Sequence, residues 1–198
     1  MPVYSKMEFM RIAIQGDAGS FHHLAANKFF GDDIDIVACQ TFADVFACLA
    51  NGGCDSAVVA IENSWYGVLP EVTDLLEEHP LSIIGELDEP IHQNLITLPG
   101  VSFSDIKVVM SHPVALEQCS KYLSTNLPDA KLSEYHDTAA AVEYIKDRGD
   151  STIAAIAGSW PAELYTLPIL AEKIENDPNN TTKFLMLTTS TQTSRGAS

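Results

Sequence analysis

The chain has 198 residues, of which 46% are hydrophobic, and a formal net charge of −16. That apolar content supports a sizeable core in one domain or two small lobes, while the acidic balance excludes nucleic acid, because phosphate binding needs clustered Lys and Arg. No apolar run approaches a membrane-spanning length, Met1–Met10 lacks the long apolar core of a signal peptide, and Cys39, Cys48, Cys54 and Cys119 have no C-x-x-C spacing, so reduced thiols and a cytoplasmic location are expected.

Strand-like and helix-like segments alternate from end to end. Arg11–Ile14 is a short apolar strand, and Gly16-Asp17-Ala18-Gly19-Ser20 is a Gly-rich turn whose Ser20 can cap a helix through Phe30. Ile34–Cys39 is strand-like. Thr41 can cap a helix over Phe42–Ala50, stopped by Asn51-Gly52-Gly53. Ser56–Ile61 reads as a near-continuous apolar strand, Leu69–Glu78 as a helix, and Leu81–Leu87 and Ile91–Leu98 as strands around Glu89-Pro90. In the second half, Lys107–Met110 precedes a helix from Pro113 to about Ser124, with Pro113 at a first-turn position that needs no amide donor. Lys131–Tyr135 is a strand, Thr138–Asp147 a helix, Thr152–Ala157 a strand, and Trp160–Leu164 helical. Pro178-Asn179-Asn180 turns into a last strand, Lys183–Leu187, and the Ser/Thr-rich tail from Thr189 reads as disordered.

This alternation predicts an α/β protein with parallel sheets covered on both faces. The extended Gly85–Leu98 segment joins two βα sets, which predicts two α/β lobes with a cleft between them. Residues 1–87 and 175–198 would form the first lobe and 88–174 the second, with the last strand returning to the first. Ligands in such folds sit at strand carboxyl ends and helix N-termini.

Four junction loops meet that description: Gly16–Ser20, Glu62–Gly67, Ser111–Pro113 and Asn179–Phe184. The apolar run ending at Ile61 stops abruptly at Glu62, Asn63 and Ser64, as a buried strand does when it delivers polar side chains to a pocket. A carboxylate in that position must be paired, solvated or used. Ser111 and Gln118 are seven residues apart and share a helix face, so Gln118 can lean toward whatever Ser111 faces. A plainer account stands beside this one. Ser20, Ser64 and Ser111 serve equally as helix caps, Gly16 and Gly19 as a tight turn, Asn180 and Thr182 as turn residues, and Gln118 as a surface residue. Neither a G-x-G-x-x-G fingerprint nor a P-loop Lys is completed, so no nucleotide is expected. The six histidines lack H-x-H and H-E-x-x-H spacing, and no G-x-S-x-G elbow occurs, so neither a metal nor a serine triad is expected. Of His22 and His23, one should be packed and the other solvated.

Taken in order, these loops resemble the catalytic domain of the prephenate dehydratases, over roughly Arg11 to Leu187. The resemblance rests on Gly16-x-x-Gly19-Ser20-Phe21, Ile61-Glu62-Asn63-Ser64 with Gly67, and Ile84-Gly85-Glu86. It continues through Ser111-His112-Pro113 with Gln118-Cys119, Asp137-Thr138-Ala139, Ala154-Ala155-Ile156-Ala157 and Asn180-Thr181-Thr182-Lys183-Phe184. Two positions depart from the family pattern: Ala60 stands where Pro is usual, and Lys183 where the family carries Arg, which grips a carboxylate with two parallel hydrogen bonds as Lys does not.

The resemblance implies a type II periplasmic-binding-protein-like fold. It implies an enzyme of phenylalanine biosynthesis that converts prephenate to phenylpyruvate with loss of carbon dioxide and water, without metal or other cofactor. It further implies a homodimer or higher homo-oligomer, expected in the cytoplasm; no nucleic-acid or membrane partner is expected, nor the C-terminal ACT regulatory domain that many members of the family carry. By the same resemblance, Thr182 hydrogen-bonds the leaving hydroxyl, backed by Glu62 with its pKa raised by burial, and Asn63 orients the substrate. Ser64, Ser111, Gln118, Lys183, Phe184, Gly19 and Ser20 surround the substrate, Phe184 by packing. Lys183 is the basic residue of the matched motifs, and amides at Gly19-Ser20, Ser64 and Ser111 would supply further positive potential for a dicarboxylate. Arogenate dehydratase is the neighbouring alternative, and a non-catalytic two-lobed carboxylate-binding protein is the alternative from another class. A prephenate decarboxylase fits less well, because Glu62-Asn63 and Thr182 are all present.

Overall fold

A computed structural model of the chain describes residues 9–189. In chain order the first half gives β1 (Met10–Gln15), α1 (Phe21–Phe30), β2 (Ile34–Cys39), α2 (Phe42–Ala50), β3 (Ser56–Asn63), β4 (Gly67–Val68), α3 (Pro70–Glu78) and β5 (Leu81–Pro90). The second half gives β6 (Asn94–Ile96), β7 (Val108–Ser111), α4 (Pro113–Gln118), α5 (Ser120–Asn126), β8 (Lys131–Glu134), α6 (Thr138–Arg148), β9 (Ile153–Ala157), α7 (Ser159–Tyr165), β10 (Ile169–Ala171) and β11 (Thr181–Thr189).

The strands form two sheets. One runs β2-β1-β3-β11-β5, with the short β4 on β3; the other runs β10-β6-β9-β7-β8. This is the two-sheet α/β arrangement of a type II periplasmic-binding-protein-like fold. Local chemistry sets the helix starts: Ser20 Oγ accepts the His23 amide of α1, Thr41 closes a capping box on α2, and Asp137 accepts two amides of α6. Each sheet is packed on both faces. In the first, Val45, Phe46 and Leu49 of α2 cover one face, while Ala25 and Ala26 of α1 cover the other. In the second, α4 and α5 supply Ala115, Leu116 and Leu123 to one face, and α6 supplies Ala141, Val142 and Ile145 to the other. β3 is central, and its first five residues are all buried, as a strand covered on both faces requires.

Several expectations are corrected. The sheets are mixed, not parallel: β11 runs antiparallel to β3 and β5, and β6 antiparallel to β9 and β10. Both strands enter directly from extended crossing segments, without the helical crossover that usually lays a strand parallel to its neighbour. The Ile91–Leu98 strand shortens to Asn94–Ile96, because Ile91–Gln93 is itself a crossing. The helix after Pro113 breaks at Cys119 (φ −105°, ψ 8°) into α4 and α5. β4 and β10 had no recognisable sequence signal. Thr189 closes β11, and the rest of the tail expected to be disordered, residues 190–198, lies outside the described residues.

The two crossings are stitched together. Ile91 N donates to Asn180 O and Ile174 N to Gln93 O, both at 2.8 Å. Glu175 receives His92 Nδ1 at 2.7 Å and Gln93 N at 2.9 Å. These bonds fix how the sheets face one another across the cleft.

Candidate active site between the two sheets

A cavity of about 520 Å³ lies between the sheets. Four helices begin on it: Ser20 of α1, Leu69 and Pro70 of α3, His112 of α4, and Asp137 and Thr138 of α6 all line it. The first-turn amides of a helix lack intrahelical partners and carry partial positive charge, so the cavity collects positive potential without a cationic side chain. Among the described residues no Lys or Arg lines it. Gly16 and Gly19 bend their loop at φ 93° and 92°. A Cβ on Gly16 would stand 2.8 Å from Asp137 Oδ2, so this turn needs glycine for its backbone angle and for the carboxylate packed against it.

The centre of the site is a hydrogen-bond hub at Asn63. Register places Asn63 of β3 opposite Thr182 of β11. Asn63 Nδ2 donates to Thr182 Oγ1 at 2.9 Å, to Asn180 Oδ1 at 3.0 Å and to Thr181 O at 3.3 Å. Asn63 Oδ1 accepts the Trp65 and Tyr66 amides at 2.9 and 3.3 Å. Thr182 Oγ1 thus accepts from the protein, which leaves its own O–H free to donate into the cavity. Hydrogen bonds in series polarise one another, so the bond from Asn63 makes that hydroxyl a better donor than an isolated threonine.

Of the residues expected around substrate, Ser20, Asn63, Gln118, Thr182 and Phe184 line the cavity; Gly19, Glu62, Ser64, Ser111 and Lys183 do not. Glu62 is exposed, so the burial expected of it is absent. It pairs in register with Lys183, and both are adjacent to cavity-lining residues on their strands, so they point to the opposite face. Ser64 caps no helix; its Oγ accepts the Thr181 amide at 3.0 Å and ties the β3 end to β11. Ser111 Oγ is fully buried and donates to Ile156 O at 2.6 Å, while His112 caps α4. Gly19 packs under Pro161 and Ala139 and donates to His23 Nδ1 at 3.1 Å.

His22, Tyr66, Gln93 and Asp137 line the cavity without having been singled out as site residues. Among the described residues Asp137 is the only carboxylate on its wall, and burial raises its pKa above the ordinary value. Its place in the Asp137-Thr138-Ala139 motif could have flagged it, but an Asp before a helix reads first as a cap, which it also is. Neither His22 nor His23 is a solvated surface residue: His23 packs edge-on against Trp160, with ring centroids 4.2 Å apart.

Two contacts bridge the cleft mouth. Tyr66 O–H donates to Glu117 Oε2 at 2.6 Å, and His136 Nε2 lies 3.4 Å from Asp17 Oδ2. Desolvation and Glu117 push the Tyr66 hydroxyl up to about 12, so it stays a donor across the working pH range. Tyr66→Phe keeps the ring and removes the latch. We expect KM to rise about two- to tenfold with kcat little changed, the weight of one hydrogen bond; steady-state kinetics will show it.

A prephenate dehydratase family model matches residues 12–192. The chain belongs to the prephenate dehydratase family. It is 41% identical to arogenate dehydratase 4 of Arabidopsis thaliana over 178 residues, covering 90% of this chain and 42% of that protein. It is 38% identical to the bifunctional chorismate mutase/prephenate dehydratase of Neisseria gonorrhoeae, covering 90% of this chain and 49% of that one. Among solved structures, prephenate dehydratase from Arthrobacter aurescens in complex with L-Phe superposes with a TM-score of 0.83 at 28% identity, covering 91% of this chain and 60% of that chain. The chain therefore spans less than half the length of these two curated relatives. Their family is shared by nearly all of this chain, including every cavity residue named above. No helix among the described residues is long and apolar enough to cross a membrane.

Proposed function

We propose that the chain catalyses the decarboxylating dehydration of prephenate to phenylpyruvate. The observation that carries this reading is the Thr182 hydroxyl, held by Asn63 so that its hydrogen is available to a ligand in the cavity. In the reaction the ring carboxyl leaves as carbon dioxide, and its bonding electron pair enters the ring. The allylic C–O bond breaks, and the departing hydroxide takes a proton to become water. Aromatisation drives the change, so the protein's task is to hold the dianion and assist a poor leaving group. Thr182 donates to the departing oxygen. Asp137 replaces Glu62 as the acid of the site, because it lines the cavity and burial raises its pKa above the ordinary value. Gln118 and the first turn of α1 receive the carboxylates. Phe184 and Phe21 supply the dry, flat surface that a ring becoming aromatic prefers.

Lys183 does not line the cavity, so its replacement of the family Arg is read as a change on the far face of β11, and not as a change of substrate grip. We retain as proposals the lobe boundaries (1–87 with 175–198, and 88–174), the homo-oligomer, and a cytoplasmic location, the last supported by four free cysteines. Incubating the purified chain with prephenate and, separately, arogenate, and following the aromatic product by absorbance, tests the activity. Turnover of prephenate to phenylpyruvate is expected. Binding of either compound without turnover would favour a carboxylate-binding module instead, and exclusive turnover of arogenate would reassign the substrate.

A further inference from the structure

His22 occupies the second position of α1 and lines the cavity. Its Nε2 accepts the Ala60 amide hydrogen at 3.2 Å. A ring nitrogen that accepts a hydrogen bond carries no proton, so the single N–H of the neutral ring is on Nδ1. The ring is held in place by Phe184, edge-on at 5.0 Å between centroids, and by Phe42 at 5.7 Å. Protonating it would set two N–H groups against each other at Ala60 and put a positive charge inside a helix first turn that is already positive. Burial accordingly lowers its pKa to about 4. Nδ1 has no protein partner among the described residues, and it is not among the buried polar atoms sealed without one.

We propose that His22 is a substrate-binding residue: Ala60 locks it as the Nδ1–H tautomer, and it offers one uncharged hydrogen-bond donor to an oxygen acceptor of the bound substrate. The proposal rests on the dehydratase reading above and deepens it. A neutral donor suits this site, because it recognises a carbonyl or carboxylate oxygen without adding a charge that would tighten the ground state as much as the transition state.

Two substitutions separate the two ring nitrogens. His22→Asn places an amide N–H near the Nδ1 position and gives up the Ala60 bond. His22→Gln places an amide oxygen near Nε2, keeps the Ala60 bond and gives up the Nδ1–H. We expect His22→Gln to raise KM for prephenate about tenfold, one hydrogen bond's worth, and His22→Asn to raise it clearly less, its loss of the Ala60 bond showing chiefly in the melting temperature. The reverse order would mean that the ring only ties α1 to β3, and would overturn the proposal. Circular dichroism and thermal melting of both variants identify any loss due to unfolding. A second measurement does not depend on turnover. Nitrogen-edited NMR of the imidazoles should show His22 with Nδ1 protonated and Nε2 bare from pH 8 down to pH 5, and adding phenylpyruvate should shift the Nδ1–H resonance. An Nε2–H tautomer, an imidazolium in that range, or an Nδ1–H signal unmoved by phenylpyruvate overturns the proposal. Absence of turnover by the wild type would instead overturn the dehydratase reading.

Discussion

Thr182→Val is expected to lower kcat with prephenate by about two orders of magnitude, the usual scale for losing acid–base assistance. The substitution keeps the shape and strand preference of the side chain and removes only the hydroxyl. The cost to stability should be small, under about 1 kcal/mol. Thr182 gives up one bond from Asn63, and Asn63 Nδ2 retains Asn180 Oδ1 and Thr181 O as acceptors, so no donor is orphaned. KM should change far less than kcat, because the bond to the departing oxygen strengthens as negative charge develops there. A variant with near-normal kcat would remove Thr182 from the chemistry and leave the cavity without its central donor.

Local patterns made much of the fold legible, and distant pairings decided most of what was missed. β3 announced itself by a continuous apolar run, and α1, α2 and α6 by their caps, because those signals lie within a few residues of the structure they cause. The partnership of Asn63 with Thr182 joins residues 119 apart, and no local pattern specifies it. Strand alternation is a local signal that does bear on the site. Side chains alternate along a strand, so Glu62 and Asn63 cannot both face one cavity, nor can Thr182 and Lys183. Applied to the Ile61-Glu62-Asn63-Ser64 and Thr182-Lys183-Phe184 motifs, that rule selects Asn63, Thr182 and Phe184, the set on the cavity wall. A bulge after Lys183 keeps the rule from being read further along: Lys183 pairs with Glu62, but Phe184 pairs with Ala60, so Ile61 is skipped. Family signatures record residues that matter without saying how. Ser64 and Ser111 sit in the motifs, yet their hydroxyls hold β11 and β9 in place, and the former helps set the loop that carries Asn63.

Asn63→Asp is the sharper test of that framework. The substitution is nearly isosteric and keeps an oxygen where Oδ1 accepts the Trp65 and Tyr66 amides, so the turn after β3 should persist. The other amide position becomes an acceptor. It then faces Thr181 O and Asn180 Oδ1 with no hydrogen between them, a repulsion that should destabilise the fold by about 1–3 kcal/mol. The bond to Thr182 survives only by reversing: the threonine hydroxyl donates to the new carboxylate and can no longer donate to substrate. The expected result is a fall in kcat as large as that of Thr182→Val, about a hundredfold, in a protein that still folds. The double variant should then be scarcely slower than either single one, since residues that act as a unit are not additive. Multiplying losses would mean that Asn63 touches the substrate on its own account, and that orienting Thr182 is not its main work.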